Sequence, residues 1–132
     1  MNSWTNLLID RRKISSIFTD KEPSLHHVDL HDIIFHRDGP KITLRFNTTS
    51  YPSEPPKKWI IQKCNTVQLQ LTALDVKEVR LSGWEKTSYI LDINISKKDD
   101  FIVISARDDI FSIYIKTTFL DISSISAYTM SK

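Results

Sequence analysis

The sequence predicts a mainly β domain, α+β by strict count, and three observations support this fold class. The chain contains 18 Ile, 11 Thr and 5 Val but 3 Ala and 2 Gly. β-branched side chains favour strands, whereas Ala is the strongest helix former. Apolar and polar residues alternate in many short segments, and turn-forming residues recur about every ten positions. Together these features predict an antiparallel β-sandwich or a strongly curved sheet of about 7–9 strands.

The N-terminal segment, residues 4–18, is predicted to form one or two short helices. Its apolar residues recur at steps of three and four: Trp4, Leu7, Leu8, Ile14, Ile17 and Phe18. This period places them on one helix face, which we expect to pack on the sheet. Ser3 is a candidate N-cap, and Pro23 closes the region. We expect a single domain over residues 1–132, with its β region at 25–128.

A β-hairpin is predicted over residues 28–46. Apolar and polar residues alternate on both sides of His31 and Asp32, but the phase slips by one position there. This slip predicts a β-bulge. The turn that follows contains Gly39, which can adopt a positive φ. The second arm, residues 41–46, is the clearest amphipathic strand in the chain.

Residues 47–58 are predicted to form the one long loop, and they hold three of the five prolines. Because proline restricts φ, we expect this loop to be semi-rigid. Further strands are predicted in the alternating segments 67–72, 76–81, 89–95 and 111–116, and in 101–106, which is apolar on both faces until Ser105 and so fits a central strand. Residues 120–128 fit either a final strand or a short helix.

The composition excludes several classes of protein. No stretch contains the roughly 20 apolar residues of a membrane-spanning helix. The first twelve residues lack a basic segment followed by an apolar one, so we expect no secretory signal and a cytoplasmic protein. Cys64 is the one cysteine, which fits a reducing compartment. With two glycines, no dinucleotide-binding motif, P-loop or nucleophile elbow can be written.

The densest cluster of chemically active side chains lies between His26 and His36. On a strand, His27, Asp29 and His31 would share one face, where two imidazoles and a carboxylate could hold a zinc or iron ion. The alternatives are a solvated polar face and a pH-sensitive surface, since histidine titrates near neutral pH. We favour the solvated face and expect no metal and no cofactor.

Other candidates for catalysis lack the features that catalysis requires. No sequence signal places a base beside Cys64, so we expect a buried or incidental thiol. The carboxylate pairs at 99–100 and 108–109 fall in predicted turns, where aspartates usually cap backbone N–H groups. We therefore expect a protein that is not an enzyme.

The three tryptophans stand at the boundaries of predicted elements: Trp4, Trp59 and Trp84. We favour packing at the edge of the core over a role as exposed anchors for a partner. Basic and aromatic residues of one region suggest a small RNA-binding patch: Tyr51, Lys57, Lys58, Trp59 and Lys63. No nucleic-acid-binding motif accompanies them, and the net charge is +2. We therefore expect no nucleic-acid partner.

An ordered series of short motifs runs through residues 4–128. After the N-terminal Trp helix and Ile17-Phe18, it comprises Pro23-Ser24-Leu25, Val28-Asp29-Leu30-His31, Arg37-Asp38-Gly39-Pro40, Ile42-Thr43-Leu44-Arg45-Phe46, Pro55-Pro56-Lys57-Lys58-Trp59, Asn65-Thr66-Val67-Gln68-Leu69-Gln70-Leu71, Ser82-Gly83-Trp84 and Ile125-Ser126-Ala127-Tyr128. In order and spacing, these motifs resemble the immunity protein 50 family of bacterial polymorphic toxin systems. The resemblance implies a non-enzymatic antidote that stays in the cytosol and blocks a toxin encoded by an adjacent gene. It implies no active-site residues, and the matching positions resemble determinants of the fold.

For such an antidote we expect the binding surface at the bulged hairpin and the proline loop, because bulges and long loops often carry function. The candidate toxin-binding residues are His31, His36, Arg37, Tyr51, Lys57 and Trp59. Because antidotes to cationic toxins gain from negative charge, the turns at 99–100 and 108–109 are candidates for a local acidic patch. We expect a monomer or weak homodimer with no membrane partner. A small metal-binding enzyme or binding domain centred on His26–His36 and a small RNA-binding module are the alternatives.

Overall fold

The computed structural model describes residues 3–131. Trp4–Leu7 forms a 3₁₀ helix and Arg12–Ser15 forms α1, which confirms the short helices expected at the N-terminus. A further short helix, α2 (Lys57–Ile61), begins at the end of the proline loop. The strands are β1 (Val28–His36), β2 (Lys41–Thr48), β3 (Thr66–Ser82), β4 (Ile90–Leu91), β5 (Ile93–Lys98), β6 (Phe101–Arg107) and β7 (Ser112–Tyr128). Within the described range, no helix has the length and apolar character needed to cross a membrane.

The seven strands lie in one antiparallel sheet, in the order β4-β1-β2-β3-β7-β6-β5. The two edge strands, β4 and β5, follow one another in the chain with Asp92 alone between them. The opposite edges of the sheet must therefore approach each other at Asp92, so the sheet curls around the core. The prediction of a mainly β, antiparallel and strongly curved architecture is confirmed.

The longest strands, β3 and β7, pair over their whole lengths of 17 residues each. The register shifts between Gln70 and Leu71 and again between Val76 and Glu78, and such bulges bend and twist a sheet. Segments 67–72 and 76–81, which the sequence suggests as separate strands, are therefore one bent strand. The open assignment of residues 120–128 is decided in favour of a strand, because all of them except the bulged Ser123 pair with residues of β3.

The core lies on one side of the sheet. Its fully buried side chains include Phe46, Leu69, Leu71, Ile104, Phe111, Ile113, Ile115, Leu120 and Ile122. The N-terminal segment packs on them through Trp4 and Phe18. The Trp4 indole N–H donates to the Pro23 carbonyl at 3.0 Å, which satisfies the one polar atom that the ring buries. The Ile9 N–H donates to the Leu120 carbonyl at 2.9 Å and fastens the segment to β7.

Two of the three tryptophans confirm the expectation of packing at the core edge. Trp4 and Trp59 are buried, whereas Trp84 is 46% exposed. The Trp84 ring stacks on Tyr89 with 4.5 Å between centroids and 9° between planes. Tyr89 meets the buried Phe111 edge-on at 5.0 Å, so this aromatic cluster holds the chain between β3 and β4 against the core.

The first part of the proline loop is tied down by polar contacts. The Thr48 hydroxyl donates to the Ser24 carbonyl at 2.9 Å, and the Ser24 N–H donates to the Ser50 hydroxyl at 2.8 Å. Further along, the Ser53 hydroxyl donates to Asp20 at 2.6 Å. These contacts support the expectation of a semi-rigid loop.

The turn between β6 and β7 is organised by Asp108. One oxygen of its carboxylate accepts the N–H groups of Ile110 at 2.8 Å and Phe111 at 2.7 Å, and the other pairs with Lys86. The Lys86 ammonium and the two N–H groups lower the pKa of Asp108 to about 2. The interpretation of this carboxylate as a turn cap is therefore confirmed.

Candidate functional site

The β-bulge in β1 brings neighbouring polar side chains to the same side of the sheet. The register shifts between Leu30 and Asp32, so His31 is the extra residue and the predicted bulge is confirmed. In a regular strand, His31 and Asp32 would point to opposite faces. With the bulge, both lie on the face directed away from the core, His31 beside Asn47 and Asp32 beside Arg45.

We call this surface the hairpin face. It comprises the outward-facing side chains of β1, of β2 and of the adjoining ends of β3 and β7: Asp29, His31, Asp32, Ile34, His36, Lys41, Thr43, Arg45, Asn47, Gln68, Thr72, Ser123 and Tyr128. Its two central rows are held by hydrogen bonds between strands. The Thr43 and Thr72 hydroxyls lie 3.0 Å apart, and Thr72 donates to Ser123 at 2.9 Å.

An ion pair lies at the centre of the hairpin face. Arg45 Nε donates to Asp32 Oδ2 at 2.5 Å, and Arg45 Nη1 donates to Gln68 Oε1 at 3.2 Å. The hydrogen bond from Arg45 lowers the pKa of Asp32, and the same bond raises the pKa of Arg45. Both side chains therefore remain charged near neutral pH. Through these two hydrogen bonds, Arg45 on β2 links β1 to β3.

The buried amide of Asn47 extends this network to His31. Its Nδ2 lies 3.1 Å from His31 Nε2 and also donates to the Tyr128 hydroxyl, while its Oδ1 accepts from Gln68 at 3.1 Å. His31 Nε2 lies 3.4 Å from Asp29 Oδ2. Because Asn47 has partners on both its oxygen and its nitrogen, it fixes the positions of the half-exposed groups around it.

The suggested metal ligands His27, Asp29 and His31 do not converge. His27 precedes β1 in a left-handed conformation with φ of 55°, and its N–H donates to Asp92 at 2.9 Å. Asp29 and His31 are in contact, but within residues 3–131 no three His, Cys, Asp or Glu side chains are arranged to hold a metal ion. The alternative of a metal site has no geometric support here.

Two further candidate residues lie at the tip of the β1–β2 hairpin. His36 stands opposite Lys41 on the hairpin face, and Arg37 follows in the turn, and both are exposed. His36 lies five positions beyond His31, a distance of roughly 16 Å along a strand. Ile34 is 41% exposed on the same face, whereas Phe35, 51% exposed, lies opposite Ile42 on the face directed towards the core. The tip therefore presents charged and apolar side chains together.

The candidates on the proline loop divide into exposed and buried residues. Tyr51 is exposed, and its hydroxyl donates to the Cys64 carbonyl at 2.9 Å, with burial raising the pKa of the Tyr51 phenol. Lys57 is exposed at the start of α2, whereas Trp59 is buried with its ring 6.3 Å from Tyr51. Trp59 therefore packs in the core beneath Tyr51, and its indole is not accessible to a partner protein or to stacking with an RNA base.

The described contacts of Cys64 include no histidine that could act as its base. The thiol is half-buried, and its sulfur lies 3.9 Å from Gln62 Oε1. A nucleophilic thiol needs a neighbouring base or cation to favour the thiolate. Gln62 supplies neither, so the geometry at Cys64 fits an incidental cysteine.

Sequence reasoning missed the residues that hold the hairpin face together, namely Arg45, Asn47, Gln68 and Tyr128. Their signal was present, since each occupies a polar position in an alternating strand. Alternation shows that such residues face away from the core, but it does not show which strands are neighbours. Asn47 and Tyr128, for example, are 81 positions apart in the chain.

Comparison with known proteins adds an independent observation. Residues 10–128 match the family described as immunity protein 50. No curated protein matches the chain. A crystal structure of an uncharacterized protein from Neisseria gonorrhoeae is similar with 18% sequence identity and a TM-score of 0.46, over 75% of this chain and 92% of that one. That likeness is too distant to bear on function. Because the family match spans most of the chain, this protein belongs to the immunity protein 50 family.

Proposed function

We propose that this chain is a non-enzymatic antidote that binds a cognate toxin in the cytoplasm and blocks it sterically. The toxin partner is the product of an adjacent gene. Family membership supports the role of an immunity protein. The observation that carries the proposal is the hairpin face, a polar surface that is hydrogen-bonded within itself, half-exposed and bordered by exposed apolar side chains.

The rigidity of the hairpin face favours tight binding. Ordering a flexible charged side chain at an interface costs roughly 0.5–1.5 kcal/mol. Arg45 is already held by Asp32 and Gln68, so much of this cost is met before a partner arrives. Its side chain nevertheless remains 32% exposed and can contact a bound protein.

The hairpin tip supplies the apolar component that a protein interface needs. Aromatic side chains and arginine carry much of the binding energy at such surfaces. Ile34, on the face of His36, and Phe35, on the other face of the tip, are about half-exposed. A partner that covered Phe35 would remove its apolar area from water and bring Arg37 to the rim of the contact. The tip is therefore the expected anchor of the complex.

The chain has enough surface for an interface of standard size. Such an interface covers about 800 Å² on each partner. The accessible surface of the chain is 8194 Å², so a standard interface would occupy about a tenth of it. Tyr51 and Lys57 follow Thr48, at the end of β2 opposite the tip, so the tip, the hairpin face and the proline loop together offer that area.

The hydrogen bonds around His31 favour binding over catalysis. His31 contacts the amide of Asn47 and the carboxylate of Asp29. In its described contacts, no serine or cysteine lies beside the imidazole as a nucleophile. A nucleophile paired with a positioned base is the usual signature of covalent catalysis. The arrangement instead suits a surface recognised by a partner.

Co-expression with the product of the adjacent gene tests this proposal. We expect a one-to-one complex in a pull-down and growth of cells that the gene product alone would kill. The double variant Phe35→Asp, Arg37→Glu is expected to lose both. Its matched control is Ile9→Asp, Arg11→Glu, which changes the same kinds of exposed residue on the N-terminal segment.

Different results would contradict the proposed antidote role and the proposed binding surface. Absence of both complex and protection with the unmodified chain would overturn the antidote role. Equal binding by the hairpin variant and the control would overturn the assignment of the surface. Size-exclusion chromatography of the free chain would show the monomer or weak homodimer that we expect.

A further inference from the structure

A second polar surface lies on the outer face of the sheet, beyond the bend in β3 and β7. A shallow groove of about 510 Å³ crosses β3, β7, β6 and the start of β5 there. We call it the basic groove, and its polar lining is Arg80, Ser82, Asn94, Ser105, Arg107 and Tyr114. The strand register places Arg80, Tyr114, Ser105 and Asn94 in one row across the sheet, with Arg107 and Ser112 in the next.

The net charge of the basic groove is positive. Among the described lining residues are two arginines and no carboxylate. Lys116 adds a third cation one row away, opposite Glu78. Glu78 is itself engaged, since its Oε2 lies 3.1 Å from Arg80 Nε. The surface therefore carries an excess of positive charge, surrounded by hydroxyl and amide groups that can donate hydrogen bonds.

The cations of this surface lie over aromatic rings. The guanidinium of Arg80 lies 4.2 Å from the centroid of the Tyr114 ring, and the ammonium of Lys116 lies 4.5 Å from that of Phe101. These cation–π contacts hold the positive groups in place before a ligand arrives. They also cover the ring faces on which a nucleic-acid base would stack.

The basic groove borders a free edge of the sheet. Pairing between β2 and β3 ends at Leu74, and the Val76 N–H still donates to the Pro40 carbonyl at 3.0 Å, so from Lys77 onward the described partner of β3 is β7 alone. An edge strand offers backbone N–H and C=O groups to an added extended segment. Lys77, Glu78 and Arg80 along this edge disfavour pairing with an uncharged strand but permit pairing with an acidic one.

We propose that the basic groove binds an acidic, extended segment of the toxin, an inference that rests on the proposed function. Arg80 and Arg107 pair with its carboxylates, and the serine and asparagine side chains donate to its remaining oxygens. Arg80 lies six residues beyond Leu74, or roughly 20 Å along β3 from the hairpin tip. One toxin domain can therefore cover the tip and reach the groove.

An acidic protein segment suits this surface better than a nucleic acid does. The chain carries a net charge of +2, far below the excess expected of a nucleic-acid binder. The rings of Tyr114 and Phe101 are already covered by cations. A carboxylate needs one or two well-placed donors, which the groove provides, whereas a polyphosphate backbone needs a long basic track.

Association kinetics with the toxin test the groove within the complex. The double variant Arg80→Gln, Arg107→Gln removes two positive charges from the groove. Its matched control, Arg11→Gln, Lys21→Gln, removes two from exposed positions of the N-terminal segment. We expect the groove variant to associate roughly ten-fold more slowly at low salt, with the difference shrinking as salt screens the attraction. Equal rates for the two variants would overturn the proposal.

A titration without the toxin separates this inference from the proposed function. Hexaglutamate added to the free chain is expected to shift the backbone amide resonances of residues 78–82, 105–107 and 112–114. The groove variant should lose these shifts, and the control variant should keep them. No shift with hexaglutamate, or a larger one with a six-nucleotide single-stranded DNA, would overturn the proposal. If the unmodified chain shows these shifts yet forms no complex with the toxin, the proposed function fails and the groove is still shown to prefer acidic peptide.

Discussion

The substitution Gly83→Ala tests whether the turn after β3 depends on the absence of a side chain. Gly83 has a φ of +77°, a conformation that residues with a side chain rarely adopt. A Cβ placed there would collide with the carbonyl oxygen of Ile110, and it would lie 2.7 Å from the Ile110 carbonyl carbon and 2.9 Å from the Phe111 Cα. All three atoms belong to the backbone, so no rotamer change can relieve the contact.

The expected loss of stability has two parts. A residue other than glycine in the left-handed region costs roughly 1–2 kcal/mol. Forcing the backbone at Ile110 to move adds roughly 1–3 kcal/mol, as overpacking does elsewhere. The sum is about 2–5 kcal/mol. With an unfolding entropy of about 0.28 kcal/mol/K for a chain of this length, Tm should fall by roughly 7–18 °C.

Calorimetry of Gly83→Ala beside Gly39→Ala provides the test. Gly39 also has a positive φ, of +120°, but a Cβ there would approach no atom more closely than the Lys41 nitrogen at 3.9 Å. Gly39→Ala should therefore cost only the backbone strain, roughly 1–3 kcal/mol. If Gly83→Ala lowers Tm no more than Gly39→Ala does, the argument from the Ile110 contact is wrong.

Two further predictions concern the turn cap and the core beneath the proline loop. Because the pKa of Asp108 is lowered to about 2, its ionised form stabilises the fold above about pH 4, and this contribution is lost as pH falls to about 2. Asp108→Ala should thus be less stable than the unmodified chain at pH 7 in urea unfolding, with the gap closing between pH 4 and pH 2. Asp109→Ala removes a side chain that is 86% exposed, so it should leave the stability in urea nearly unchanged at both neutral and acidic pH. Trp59→Ala should cost about 3–5 kcal/mol in the same assay, whereas Ile61→Ala, at a residue 77% exposed, should change stability by less than about 0.5 kcal/mol. A small effect at Trp59 would contradict its assignment to the core.

Local features of the fold were open to prediction because their causes lie in neighbouring residues. The bulge at His31 follows from a one-position slip in alternation, and the role of Asp108 follows from its place in a turn. The length of β3 was not predicted in this way. Residues 66–82 form one strand because β7 pairs with them throughout, and the two bulges absorb the breaks in their pattern.

In the candidate site, too, some features follow from neighbouring residues and others depend on tertiary packing. The hairpin residues His36 and Arg37 could be named from the sequence and are exposed in the structure. Trp59 could be named too, but its burial depends on how α2 packs, which no local pattern reports. The partners of Asn47, and the row that joins Arg80 to Tyr114, depend on strand order.

The amino-acid sequence alone determined the β class, the bulge, the turns and the faces of the strands, because each depends on residues a few positions apart. The tertiary structure alone decided that β4 and β5 bring the two edges of the curved sheet near each other at Asp92 and that β3 lies between β2 and β7. Those pairings join segments that are distant in the chain, and they are selected by the burial of one common core. The hairpin face and the basic groove are assembled only at that stage, since neither is built from a single segment.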